Sequence, residues 1–208
     1  MLDNSAQYLG MITDKFYGAL SADPSTRPTG GVIQAGDRYF NTTTQTERTY
    51  TGSAWTYSNS SLNLALGGAY VTLTGTVAKT ALLTVPVAAN LMGLNGRIEI
   101  TLDFEFSNNT NQKEMSVQFG GVDIIGPWNT TNGSSWGSWL TYVISNRNSV
   151  SSQATSFKGN ESAIGASYYD SDTKAVNTAV SQNIVVYGQL ANAADHIYLR
   201  NYRITLFR

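Results

Sequence analysis

The sequence predicts a mainly β protein: a short N-terminal helix and β-hairpin, followed by an antiparallel β-sandwich of jelly-roll type. Three observations predict it. A long stretch of strict apolar/polar alternation centres on residues 96–106, turn residues recur at short intervals from there to the end, and helical spacing is confined to residues 3–20.

The alternating stretch is the clearest element. Ile98, Ile100, Leu102, Phe104 and Phe106 fall on one face of an extended chain, and Arg97, Glu99, Thr101, Asp103 and Glu105 fall on the other. Ser107–Gln112 reads as a turn. Met115, Val117 and Phe119 then alternate with polar neighbours, and Gly120-Gly121 closes a hairpin. Further strands are predicted over 70–74, 80–87, 139–146, 154–157, 163–169 and 184–190. The last strand, 197–207, changes phase. Ile197 and Leu199 share one parity, whereas Tyr202, Ile204 and Leu206 share the other. A β-bulge near Asn201 would turn both sets to the same core.

The N-terminal region is read differently. Asp3, Asn4 and Ser5 can cap a helix over 3–20, with Tyr8, Ile12 and Phe16 on one stripe. Asp23-Pro24 and Arg27-Pro28 impose an extended path. Arg38–Phe40 and Thr46–Tyr50 form a hairpin over which Trp55 can fold. One hairpin buries too little surface to stand alone, so this region is expected to lean on another chain or a larger body. Ser58–Ser61 reads as a linker, dividing an attachment module, 1–61, from a sandwich, 62–208.

The stretch from Asp23 to Trp55 resembles a module of tail-fibre and other appendage proteins of tailed bacteriophages. The matching residues are Asp23-Pro24, Arg27-Pro28, Gly30, Gly36-Asp37, Tyr39-Phe40-Asn41-Thr42, Tyr50, Gly52 and Trp55. Residues 70–208 resemble, more loosely, a phage structural β-sandwich domain, through strand rhythm, the Asn108–Asn111 turn and Phe119-Gly120-Gly121. The resemblance implies a virion protein made in the bacterial host cytoplasm, a homotrimer, and docking onto other virion proteins of tail or capsid. Tyr8, Ile12, Phe16, Tyr39, Phe40 and Trp55 would then serve attachment or trimer contacts. A short fibre with a role in host adsorption and a head fibre or capsid decoration protein both fit. A polysaccharide-degrading tail enzyme is the alternative of another class.

Composition narrows these classes. Charged residues make up 13 % of the chain and the formal net charge is −1, so no electrostatic footprint for nucleic acid or an anionic membrane is present. There is no cysteine, which excludes disulfides, thiolate nucleophiles and cysteine metal sites. No run of about 20 apolar residues offers a bilayer span, and the N-terminus lacks the pattern of a signal peptide.

Candidate chemistry is sparse. Glu99, Asp103 and Glu105 share a strand face, and two such carboxylates roughly 7 Å apart can serve glycoside hydrolysis. Alternation alone accounts for them as a solvated face paired with Arg97, Arg200 or Arg203. Asp170-Ser171-Asp172 could offer oxygens to a hard cation but reads as a turn. His196 is the only histidine and stands without a motif, so no metal, cofactor or catalytic residue is expected. The segment 126–139, GPWNTTNGSSWGSW, holds three of the four tryptophans. Trp128 and Trp136, with Tyr169 elsewhere, are candidate contacts for a host glycan or receptor, since indoles stack on sugar rings. The alternative for each is core or subunit interface, and Trp139, opening a strand, is assigned to the core.

Overall fold

The computed structural model describes residues 15–44, 46–58, 61–124, 127–130, 138–161 and 166–208. The chain divides into two compact units, Met1–Ser60 and Ser61–Arg208.

The first unit is a four-stranded sheet of β1 (Phe16–Leu20), β2 (Arg38–Asn41), β3 (Thr46–Tyr50) and β4 (Trp55–Tyr57), in the order β1-β2-β3-β4. The predicted hairpin is β2–β3. Residues 16–20 are a strand, not the end of the expected helix; they pair parallel to β2 with a register shift at Gly18, where φ is +76°. Tyr8 and Ile12 lie outside the described residues.

What fills this unit's interior is aromatic and ionic rather than aliphatic. Trp55 packs edge-on against Tyr17 and Tyr39, with ring centroids 5.8 and 4.9 Å away, and tilts against Tyr50 at 5.4 Å. The extended segment between β1 and β2 supplies the polar partners. Trp55 Nε1 donates to the Pro24 carbonyl at 3.0 Å, and the Tyr39 hydroxyl donates to Asp23. Asp37, fully buried, accepts from Arg27 Nε at 2.9 Å and Nη2 at 2.7 Å, from the Gln34 amide at 2.9 Å, and from the Tyr17 hydroxyl. This two-pronged guanidinium–carboxylate geometry is the strong form of an ion pair, and here every lone pair facing inward is occupied. Hydrogen bonding to Arg27 holds the Asp37 carboxyl well below the usual range against the opposing effect of burial. Burial, with the bond to Asp37, pushes the Tyr17 phenol up to about 12. The turns that deliver these groups need left-handed backbone at Gly36 and Gly52, with φ +90° and +103°. The residues that carry the appendage resemblance are thus largely those that build this interior.

The second unit is a sandwich of two mostly antiparallel-paired sheets. Its strands are β5 (Ser61–Gly67), β6 (Val71–Thr74), β7 (Thr80–Val87), β8 (Arg97–Phe106), β9 (Lys113–Phe119), β10 (Val122–Asp123), β11 (Trp128–Thr130), β12 (Ser138–Asn146), β13 (Gln153–Glu161), β14 (Ala166–Lys174), β15 (Gln182–Leu190) and β16 (His196–Phe207). One sheet has the order β10-β9-β15-β7, with β11 also on β9; the other runs β14-β13-β12-β8-β16-β5, with β6 also on β16. A single apolar cluster joins their inner faces, with Ile98, Ile100, Leu102 and Phe104 from one sheet meeting Val117, Phe119, Ile184 and Val186 from the other.

Two sequence expectations are corrected here. β8 and β9 do not form a hairpin: they belong to different sheets, and 107–112 crosses from one to the other. Gly120-Gly121 instead turns β9 into β10, with Val122 opposite Phe119 and both glycines at positive φ. The Asn-rich crossing is tied down from far away in sequence. Asp195 accepts from Asn109 Nδ2 at 2.6 Å and Asn111 Nδ2 at 3.0 Å. The fully buried Lys113 donates to the Asn109 carbonyl at 3.1 Å and lies 4.0 Å from Asp195. Burial depresses the Lys113 ammonium pKa, Asp195 opposing it.

The phase change in β16 is a bulge. Leu199 pairs with Phe104 and Asn201 with Asp103, so Arg200 is the inserted residue. Ile197, Leu199, Ile204 and Leu206 are all fully buried.

The first unit's aromatic centre sets a stability prediction. Trp55→Ala should lower that unit's unfolding free energy by about 2–3 kcal/mol, seen as lost amide-exchange protection in β2 and β3 while β8 and β16 keep theirs. A second concerns acid. Because the folded Asp37 pKa is depressed, its contribution is complete above the unfolded value of about 4 and disappears as pH falls below it. Acid titration of the parent should therefore strip amide-exchange protection from residues 16–57 as pH falls below about 4, whereas Asp37→Asn, which strands Arg27, should already weaken the unit at neutral pH and lose less further protection on acidification.

Candidate functional site

The outer face of the seven-stranded sheet is set by parity. Leu140, Tyr142 and Ile144 face the core, so Trp139, Thr141 and Val143 face outward. Trp139 pairs with Asp103, and Asp103 with Asn201 across the bulge. Arg203 pairs with Thr101 on one side and Leu66 on the other. These side chains line a groove of about 170 Å³ together with Tyr202.

Trp139 is 52 % exposed and Leu66 69 % exposed, a large apolar area on the outer face of the sheet. The assignment of Trp139 to the core is therefore corrected. The signal was in the sequence: three aliphatic or aromatic residues of opposite parity follow it. Tyr202 keeps the core phase of Ile204 and Leu206 and packs against the apolar cluster beneath the groove, its ring lying over Gly67, where an added Cβ would be 2.3 Å away. The glycine is needed there for close approach. β5 ends at Gly67 and β6 begins at Val71, so the edge of the sheet breaks opposite the bulge in β16.

The carboxylates predicted on this face divide by environment. Arg97 lies 3.8 Å from Glu99, and Arg200 lies 3.6 Å from Glu105. These are the arginine pairs expected from the sequence. Asp103 is half-buried between them. Desolvation pushes its carboxyl up, Arg200 opposes the shift and Glu105 adds to it. A desolvated carboxylate is a strong acceptor for any hydroxyl brought to it. An indole face, a carboxylate, an amide and a guanidinium on one rigid surface can bind a polyhydroxylated ring: apolar C–H face on Trp139, hydroxyls on Asp103, Asn201 and Arg203.

The sequence-predicted contacts are elsewhere. Trp128 stands in the short strand β11, opposite Met115. Trp136 lies outside the described residues. Tyr169 stands in β14, opposite Lys158. Asp170-Ser171-Asp172 is part of β14, not a turn, and the Asp172 carboxylate accepts from Lys174 at 2.6 Å. Among the described residues, no group of three or more His, Asp or Glu side chains is placed to hold a metal ion. His196 opens β16, with Nδ1 3.1 Å from Ser107 Oγ. In the first unit, Tyr39 is fully buried, Trp55 and Phe40 are half-buried, and Phe16 is exposed. A wider depression of about 540 Å³ on the smaller sheet is lined by Pro86, Gln118, Asn183, Tyr187 and others, none charged. Its one aromatic ring, Tyr187, is capped by Lys79 at 5.0 Å.

No protein-family model matches the chain, and no curated protein matches it. Solved structures similar to it are lectin-like β-sandwich proteins. Lectin II from Ulex europaeus is 11 % identical with a TM-score of 0.35, over 71 % of this chain and 98 % of that one. Basic winged bean lectin with Tn-antigen is 9 % identical, TM-score 0.37, over 70 % and 97 %. The CBM2 module of the evolved Dit of Lactobacillus casei BL23 phage J-1 is 9 % identical, TM-score 0.33, over 59 % and 68 %. TM-scores this low carry no argument about function.

Gly67 offers a direct check on the packing beneath the groove. Gly67→Val should displace the Tyr202 ring and destabilise the second unit by about 1–3 kcal/mol in thermal melts, whereas Gly68→Ala, with open space around it, should cost less than about 1 kcal/mol.

Proposed function

We propose that this chain is a non-enzymatic virion appendage protein of a tailed bacteriophage that holds a neutral host-surface glycan in the Trp139 groove. The observation that carries the glycan reading is Trp139 itself. A half-exposed indole on a central strand, with a partly desolvated carboxylate as its cross-strand neighbour, stands outside the apolar cluster between the sheets. Stacking on a pyranose ring would bury that indole, and two ring hydroxyls would satisfy Asp103.

Binding is favoured over cleavage by the state of the carboxylates. Hydrolysis of a glycosidic bond uses two, one as acid and one as base or nucleophile. Glu99 and Glu105 are each engaged by an arginine, which leaves Asp103. The appendage reading is supported by the Asp23–Trp55 resemblance, whose residues build the interior of the first unit. Docking to the particle or to two further copies would then fall to the exposed Phe16 and the half-buried Phe40 rather than to Tyr39.

Trp139→Ala and Asp103→Asn should each weaken binding to host surface polysaccharide by about tenfold or more in affinity electrophoresis, with unchanged melting of the second unit. Parent-like retardation of both variants would end the groove reading. A solution mass other than three chains would remove the trimer.

A further inference from the structure

A second aromatic group stands on the same outer face, past the groove. Tyr70, 60 % exposed, meets Tyr198 edge-on with ring centroids 5.7 Å apart. Tyr198 in turn stacks on His196 at 4.3 Å. The register fixes where this ledge lies. Tyr198 pairs with Glu105 and Asn201 with Asp103, so ledge and groove are two residues apart along β8, roughly 7 Å.

The bulge sits between them. An ordinary strand would place one outward residue between Tyr198 and Arg203; here Arg200 and Asn201 both occupy that span. Arg200 lies 3.6 Å from Glu105 and 6.0 Å from the Tyr70 ring. The break in the sheet edge has the same location, with Leu66 at the groove and Tyr70 at the ledge as the two ends of one short connection. Bulge and edge break together leave a continuous outward track from Trp139 to Tyr70, polar in the middle and aromatic at both ends.

Building on the glycan reading above, we infer that groove and ledge are successive subsites for one linear neutral oligosaccharide of at least three sugar units. Trp139, Asp103, Asn201 and Arg203 hold the first unit, Arg200 meets hydroxyls of the middle one, and Tyr70 and Tyr198 stack on the last. A neutral sugar matches the balance of charge along the track, where Asp103 and Glu105 stand against Arg200 and Arg203 and Glu105 is already paired with Arg200. Aromatic platforms at both ends with hydrogen-bonding groups between them suit a chain of rings rather than a single ring.

The test uses the intact chain and neutral homo-oligosaccharides of glucose, mannose, galactose and rhamnose, one to six units long, titrated by calorimetry. For the sugar that binds, affinity should rise between two and four units. Tyr70→Ala should lower tetrasaccharide affinity by about tenfold and leave disaccharide affinity unchanged, Arg200→Ala should lower both, and Trp139→Ala should lower affinity at every length. Tyr70→Phe, which keeps the ring, should behave as the parent. If the rise with length survives Tyr70→Ala, the ledge is no subsite, although the groove reading stands. If affinity does not depend on length, the multi-subsite inference fails in the same way. If the parent binds none of these probes, or only uronic-acid oligomers run alongside, the neutral-glycan reading falls and this inference with it.

Discussion

β16 bears apolar residues in both phases of the pleat, and the inserted Arg200 reconciles them. A strand that kept one register through 196–207 would bury either Ile197 and Leu199 or Ile204 and Leu206, and turn the other pair to water. Exposing two such side chains forgoes about 3–6 kcal/mol, a large share of a domain's net stability. β16 also pairs with β8 along its length and with both β5 and β6 on its far side. The larger sheet, the break in its edge and the track across its outer face all follow from that single extra residue.

The bulge was legible because it leaves a trace in parity that no other arrangement removes. The same holds for the inner face of β8 and for β7, whose bounds match the sequence reading. Sheet partnership was not legible. Alternation in β8 and β9 is the same whether the strands pair or face each other across a core. What separates them is the crossing at 107–112, held by Asp195, which lies some 85 positions later and carries no local mark. Trp139 faces outward for a different reason: tryptophan's usual preference for burial yields to the phase set by Leu140, Tyr142 and Ile144, which is the stronger constraint in a sheet with one wet face. The strand at 16–20 escaped because Tyr17's partner, Asp37, is brought to it only by the crossover from β1 to β2.

The two units solve the same problem by different chemistry. The sandwich buries aliphatic and phenyl side chains between sheets, with buried polar groups gathered in knots such as Lys113 with Asp195. The four-stranded sheet is too small for that. It surrounds one tryptophan with tyrosines and closes the remaining space with a carboxylate and a guanidinium in the chain segment that precedes β2. Such an interior tolerates few substitutions, since removing either charge strands the other without water. This is a physical reason for the module's residues to recur as a set.

Every side chain lining the groove belongs to a β-strand, none to a connecting loop. The backbone of β8, β12 and β16 beneath it is paired with a strand on each side, so most of the surface is ordered before anything arrives and little ordering entropy is lost on contact. The corollary concerns how such a surface can change over generations. Lengthening or reshaping a loop would leave it untouched. A new specificity must come through replacement of outward side chains one position at a time, each exchange free of consequence for the core because strand parity keeps the two faces separate.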